Sequence, residues 1–167
     1  MGCYPDLYNY LLGHRYHIMR TLAFIAALIG VSLDVSGRPF RLPDPPTPEQ
    51  AYEQLLTVRR FAFGGVGYAG VTSEGEIAYR AIAGSTNAVV LFSATLTNGN
   101  AQAKLYGLCG IREFAPGTFE SQAEPLRIAN PKVETMRGCV VHHEFVTNVV
   151  SRISSGYYDV YLRSAKH

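Results

Sequence analysis

Cys139, His142 and His143 are the residues whose types and spacing come nearest to a catalytic group. An imidazole beside a cysteine can take the thiol proton and leave a nucleophilic thiolate, which is the chemistry of thiol hydrolases. The spacing matches no established signature, and a nucleophile and its base rarely stand so close in sequence. An envelope thiol enzyme or hydrolase that uses Cys139 with His142 or His143 is therefore the alternative function.

Other motifs for site chemistry are weaker. His142, His143 and Glu144 with Cys139 lack the separated ligand pairs of a tetrahedral zinc site. Residues 63–70 hold four glycines, but neither the spacing nor a following lysine matches a phosphate-binding loop. We interpret this stretch as a tight turn between two helices. The sequence predicts no catalytic residue, no cofactor and no metal site.

Composition limits the classes of partner. The chain has 167 residues, which suits one ordinary domain, and 47% of them are hydrophobic, which is enough for a core. Its net charge is only +2, and its one adjacent basic pair is Arg59–Arg60. Because phosphate binding normally requires clustered cationic residues, nucleic acid is not a predicted partner.

Residues 19–37 have the three-part pattern of a secretory signal peptide. Met19 and Arg20 give a short positive start, residues 21–33 form an apolar run, and residues 35–37 provide small residues for cleavage. The run is shorter than the roughly 20 residues of a membrane-spanning helix. We predict an exported protein, periplasmic or secreted, with no stable membrane span after cleavage.

The predicted boundaries follow from that segment. Residues 1–37 comprise an N-terminal extension and the signal peptide, and the extension is either a long n-region or translation upstream of a true start at Met19, which we favour. Residues 38–47 are rich in proline, which favours an extended linker. Residues 48–167 are expected to form a single helical domain.

Cys109 and Cys139 are the cysteines that remain after cleavage. An even pair in an exported chain is typical of a disulfide. We predict a structural Cys109–Cys139 bridge, which would add about 3–4 kcal/mol in the chain-entropy model. The alternative is a pair of buried free thiols.

Capping boxes predict the first two helices of the domain. Thr47 with Gln50, and Ser73 with Glu76, stand at the spacing at which each side chain can bond the other residue's backbone N–H. The helices expected from these boxes cover residues 48–63 and 74–83.

The most buried helix is expected over residues 101–112, starting at Asn100, because apolar residues lie nearly all the way round it. Gly107 and Gly110 each cost roughly 1 kcal/mol relative to alanine inside a helix. Such a cost is tolerated where small residues let a neighbouring helix pack closely.

Weaker signals predict one helix before residues 101–112 and another after them. Ser85 is expected to cap the N-terminus of the helix that precedes residue 100. Asn98–Gly99 is expected to end that helix in a left-handed conformation. Thr118 is the expected cap of a short helix that Pro125 limits. Together these helices form short antiparallel pairs of the kind seen in HEAT repeats, although the units are too short and dissimilar to predict a solenoid.

The spacing of the apolar residues changes in the C-terminal third of the chain. Residues 132–141 alternate as a short strand or hairpin does, residues 145–153 have the spacing of a last amphipathic helix, and residues 157–162 alternate loosely as an extended tail. The predicted fold class is therefore mainly α, a compact bundle of short antiparallel helical hairpins with a short β hairpin.

Three segments together resemble a family of small exported bacterial proteins, one of which is labelled as part of a microcin gene cluster. They cover residues 61–76, 104–112 and 136–139. The resemblance implies a bacterial envelope or secreted protein with a helical body and a cysteine pair, and it supplies no catalytic residue. The function predicted from these patterns is a non-catalytic exported module that binds a protein or peptide partner and is linked to microcins.

Overall fold

The computed structural model of the protein describes residues 44–163, and most of these are helical. The predicted signal peptide, the extension before it and most of the proline-rich linker lie outside the described residues. In chain order the elements are α1 (Pro48–Leu56), β1 (Gly65–Val66), β2 (Val71–Thr72), α2 (Glu74–Ala83), α3 (Ala88–Asn98), α4 (Ala101–Phe114), a 3-10 turn (Pro116–Thr118), α5 (Phe119–Ala129), β3 (Lys132–Arg137), β4 (Val140–Phe145), α6 (Val146–Ser154) and α7 (Asp159–Arg163).

The prediction of a mainly helical fold with a short β hairpin near the C-terminus is confirmed. Between residues 44 and 163, no helix has both the length and the apolar character needed to cross a membrane.

The N-caps predicted from the two capping boxes, Thr47 and Ser73, are both present. The Gln50 N–H donates to Thr47 Oγ1 at 3.3 Å, and the Thr47 N–H donates back to Gln50 Oε1 at 3.0 Å, which completes the first capping box. At α2 the Glu76 N–H donates to Ser73 Oγ at 3.1 Å. The Glu76 carboxylate does not return to the Ser73 N–H, so the second box is only half formed, and that carboxylate has other partners.

The first helix is shorter than predicted, because α1 ends at Leu56 instead of near Phe63. Phe61 lies beside β3, where its N–H donates to the Glu134 carbonyl at 2.9 Å and its carbonyl accepts from the Met136 N–H at 3.0 Å. These bonds to a distant strand require extended backbone at Phe61. The chain therefore leaves the helix early.

The glycine-rich stretch turns the chain as expected, but it does so as a β hairpin. Strands β1 and β2 pair antiparallel, with Gly65 opposite Thr72. Gly67 and Gly70 have φ of 70° and 61°, a region that residues with a side chain rarely adopt. Glycine therefore suits these two positions of the turn.

Helix α4 is the most buried helix in the described chain, as predicted, and every residue from 105 to 111 is buried. Asn100 Oδ1 caps it by accepting the Ala103 N–H at 2.8 Å. At Gly107 an added Cβ would lie 3.0 Å from Leu96 of α3, and at Gly110 it would overlap the ring of Phe92. The two glycines thus allow α3 and α4 to pack closely, which confirms the reason given for them.

Three predicted helix ends are wrong. Ser85 does not cap α3, because its hydroxyl donates to the Ile82 carbonyl at 2.7 Å. Gly99 has extended backbone, with φ of −79° and ψ of 160°, instead of a left-handed cap. Pro125 lies inside α5, which runs on until Asn130 takes a left-handed φ of 37°. Burial of the α5 face that contains Ala123 offsets the lost backbone bond at the proline.

The C-terminal third contains the expected hairpin and one unexpected helix. Strands β3 and β4 pair antiparallel around a two-residue loop, Gly138–Cys139, and Gly138 has φ of 56°, as the first position of a type II′ turn requires. The tail predicted as extended instead contains the short helix α7. Tyr158 and Leu162 bury their side chains there, which fits a helical spacing.

We expect Gly110→Ala to lower the free energy of unfolding by about 1–3 kcal/mol, because the added methyl group must displace the buried Phe92 ring. Urea denaturation followed by circular dichroism measures the change. Gly117→Ala is the matched control, since nothing lies within 4 Å of a Cβ at that position. Equal stability of the two variants would contradict the close packing of α3 on α4.

Candidate functional site

An open groove of about 810 Å³ lies between the end of α1, the β1–β2 hairpin and the start of α2. Its apolar lining comes from four separate segments and includes Val58, Val66, Val71, Ile77 and Met136. Val71 and Ile77 are 58% and 42% exposed. Because these side chains line a concavity, they are available to an apolar group of a ligand.

Three charged residues also line the groove. Arg59 and Arg60 follow α1, and Glu74 lies in the first turn of α2. The Arg60 guanidinium pairs with the Glu134 carboxylate at 3.1 Å, which offsets its charge. Within residues 44–163, Arg59 is exposed and has no ion-pair partner. Arg59 is therefore available to an acidic group of a ligand in the groove.

A buried clasp fixes the inner wall of the groove. The Tyr106 hydroxyl donates to the Ala62 carbonyl at 2.7 Å and accepts from the Ala62 N–H at 2.8 Å. The Ser73 hydroxyl donates to the same carbonyl at 2.8 Å. Gly75 is buried against Tyr106, where a Cβ would overlap the tyrosine ring. Helix α4 thus holds both the loop after α1 and the beginning of α2. Burial raises the pKa of Tyr106, so its hydroxyl stays protonated as a donor.

A second buried contact holds the start of the β1–β2 hairpin. The Glu76 carboxylate, which is 2% exposed, accepts the Gly64 N–H at 2.7 Å. Arg80, one turn later in α2, donates to the same carboxylate from Nη2 at 2.6 Å and from Nε at 3.0 Å. A buried carboxylate is stable when it is paired in this way. These bonds hold the chain at Gly64, two residues after Ala62 and directly before the β1–β2 hairpin that borders the groove.

The residues of the predicted thiol site are not assembled into a catalytic group. Cys139 is exposed in the loop between β3 and β4. His142 and His143 are successive residues of β4, so their side chains lie on opposite faces of the hairpin. In the described chain, no hydrogen bond joins the Cys139 thiol to either imidazole.

Glu144 has a structural partner. Its carboxylate accepts from Arg152 Nη2 at 2.6 Å and from the Thr135 hydroxyl at 2.5 Å. Burial alone would raise the pKa of Glu144, but these hydrogen bonds outweigh it and lower the pKa. Within residues 44–163, no three His, Cys, Asp or Glu side chains are placed to hold a metal ion.

The predicted disulfide is not present in the structure. Cys109 and Cys139 are both free thiols, the first fully buried in α4 and the second exposed. The pair is not joined because Cys109 faces the core while Cys139 occupies the loop of the hairpin. Burial raises the pKa of Cys109 well above its usual value, so its thiol stays protonated.

Comparisons of the chain with protein-family models, with curated proteins and with solved structures found no match. The resemblance to exported, microcin-associated proteins therefore stays a prediction from the sequence motifs.

Sequence reasoning did not predict the groove. Arg59 and Arg60 were considered only as the one adjacent basic pair of the chain, Glu76 only as a capping residue, and Tyr106 was given no role. A polar tyrosine in an otherwise apolar, buried helix was the available signal, since a buried hydroxyl needs a hydrogen-bond partner.

We expect iodoacetamide to label Cys139 in the native protein and Cys109 only after unfolding, because Cys139 is exposed and Cys109 is buried. Peptide mass mapping of native and denatured samples, each without reductant, measures the labels. A bridged peptide pair that becomes reactive only after reduction would instead establish the Cys109–Cys139 disulfide.

Proposed function

We propose that the protein is a non-catalytic interaction module that binds a peptide segment of a partner in the groove beside α2. The observation that carries this proposal is an open, apolar concavity whose inner wall is held by the Tyr106–Ala62 clasp. Its volume of about 810 Å³ lies in the range of ligand pockets. A preformed wall lowers the ordering cost of binding.

The chemistry of the groove favours a particular kind of peptide. Val71 and Ile77 offer exposed apolar surface, while Arg59, which has no ion-pair partner within residues 44–163, supplies a positive charge. A segment with one or two apolar side chains followed or preceded by an acidic residue matches both features. Burial of the apolar side chains would supply the affinity, and the acidic residue would set the orientation.

Export supplies the setting for this binding. The signal-peptide pattern at residues 19–37 supports a periplasmic or secreted location, and the motif resemblance supports a bacterial role linked to peptide antibiotics. In that setting the ligand is a secreted or envelope-associated peptide, and the role is in microcin production or immunity.

The test begins with a random peptide library selected on the full chain. We expect the selected peptides to combine apolar and acidic residues. Val71→Lys and Arg59→Glu should each weaken binding of these peptides by roughly tenfold or more, because they remove apolar contact and the complementary charge respectively. Fluorescence anisotropy with labelled peptides measures the dissociation constants.

Ile128→Lys is the matched control, since Ile128 is an exposed apolar residue of α5 that does not line the groove. It should bind the peptides as the wild type does. Failure to select any peptide, or equal loss of binding in all three variants, would contradict the proposed function.

A further inference from the structure

Strand β4 has an open edge within the described chain, because β3 is the only strand paired with it. The other edge of β3 is covered by Phe61, which bonds to the backbone of Glu134 and Met136. An exposed edge with unpaired N–H and C=O groups is a template for another strand.

The pairing identifies which groups of β4 are open. Glu134 and Met136 use their backbone groups toward Phe61, so they point away from β4. Their cross-strand partners, His143 and Val141, therefore point their own N–H and C=O groups away from β3. Because the N–H and C=O groups of successive residues point alternately to the two sides of a strand, those of Phe145 also point away from β3.

The side chains of this edge are complementary to themselves. In an antiparallel pair of two β4 strands centred on His143, Val141 of one copy lies opposite Phe145 of the other. These side chains are 36% and 46% exposed. In the same register the polar side chains of His142 and Glu144 lie opposite each other, and each of these pairs occurs twice by symmetry.

The neighbouring register lacks this match. Centred on His142, the pairing would place the apolar Val140 opposite the charged Glu144 and leave Val141 opposite His143. Cross-strand apolar pairs stabilise a sheet, while an apolar side chain opposite a charged one does not. Of these two registers, the side chains of β4 therefore favour the one centred on His143.

We propose that two copies of this chain associate through antiparallel pairing of their β4 edges, with His143 on the twofold axis. The pairing satisfies the open N–H and C=O groups of Val141, His143 and Phe145 in both copies. It extends the β3–β4 hairpin into a four-stranded sheet. The surface is separate from the peptide groove, so this inference does not depend on the proposed function.

Analytical ultracentrifugation of protein isolated after expression of the full chain tests the proposal. Val141→Lys and Phe145→Glu should each weaken dimerisation by roughly tenfold or more, since each inserts a charge opposite an apolar side chain twice per dimer. The double variant should regain the dimer, because the introduced lysine of one copy then faces the introduced glutamate of the other. Positions 141 and 145 are too far apart along one strand for this rescue to arise within a copy.

Ile128→Lys, which changes an exposed apolar residue of α5, should dimerise as the wild type does. Circular dichroism confirms that each variant is folded. A wild type that stays monomeric at its highest soluble concentration, or a dimer that neither single variant weakens, would overturn the proposal. So would a monomer whose β4 edge instead takes up a strand of another protein.

Discussion

The hydroxyl of Tyr106 is bonded to both polar groups of the Ala62 backbone, and the arrangement around the groove depends on this contact. Ala62 and Tyr106 are both buried, so neither the N–H nor the carbonyl has water as an alternative. A buried donor or acceptor without a partner costs about 1–3 kcal/mol. The clasp therefore ties the loop after α1 to the most buried helix of the described chain.

Two neighbouring contacts depend on the position that this clasp gives to the loop. Phe61, the preceding residue, bonds to β3 and packs its ring 4.7 Å from that of Tyr106. Gly64, two residues after Ala62, donates to the buried Glu76 carboxylate. The segment from residue 61 to 64 is thus held by α4, by β3 and by α2. Ala62, within this segment, lines the apolar groove, so these three attachments fix that part of its wall.

Local signals in the sequence predicted the elements better than the site. The cap at Thr47, the cap at Asn100 and the apolar surface of α4 depend on residues within a few positions of each other, and all three are confirmed. Alternation near the C-terminus likewise indicated a β hairpin there. The early end of α1 could not be predicted, because it is caused by bonds from Phe61 to Glu134 and Met136.

The groove could not be predicted for the same reason. Tyr106 and Ala62 are 44 residues apart, and no pattern of spacing links a hydroxyl to a backbone group at that distance in sequence. The capping box already gave Glu76 a local role, so the sequence offered no reason to expect its contact with Gly64. The disulfide was predicted from the even number of cysteines alone. In the structure Cys109 is buried and Cys139 is exposed, so the fold places the two thiols in different environments.

Hydrogen exchange at the Ala62 amide tests the clasp most directly. We expect slow exchange in the wild type and an exchange roughly tenfold or more faster in Tyr106→Phe, because the amide then lacks its buried acceptor. Tyr68→Phe is the control, since Tyr68 is fully exposed and should leave the exchange unchanged. An Ala62 amide that exchanges as fast as an exposed loop in the wild type, or equally slowly in Tyr106→Phe, would contradict this account of the groove.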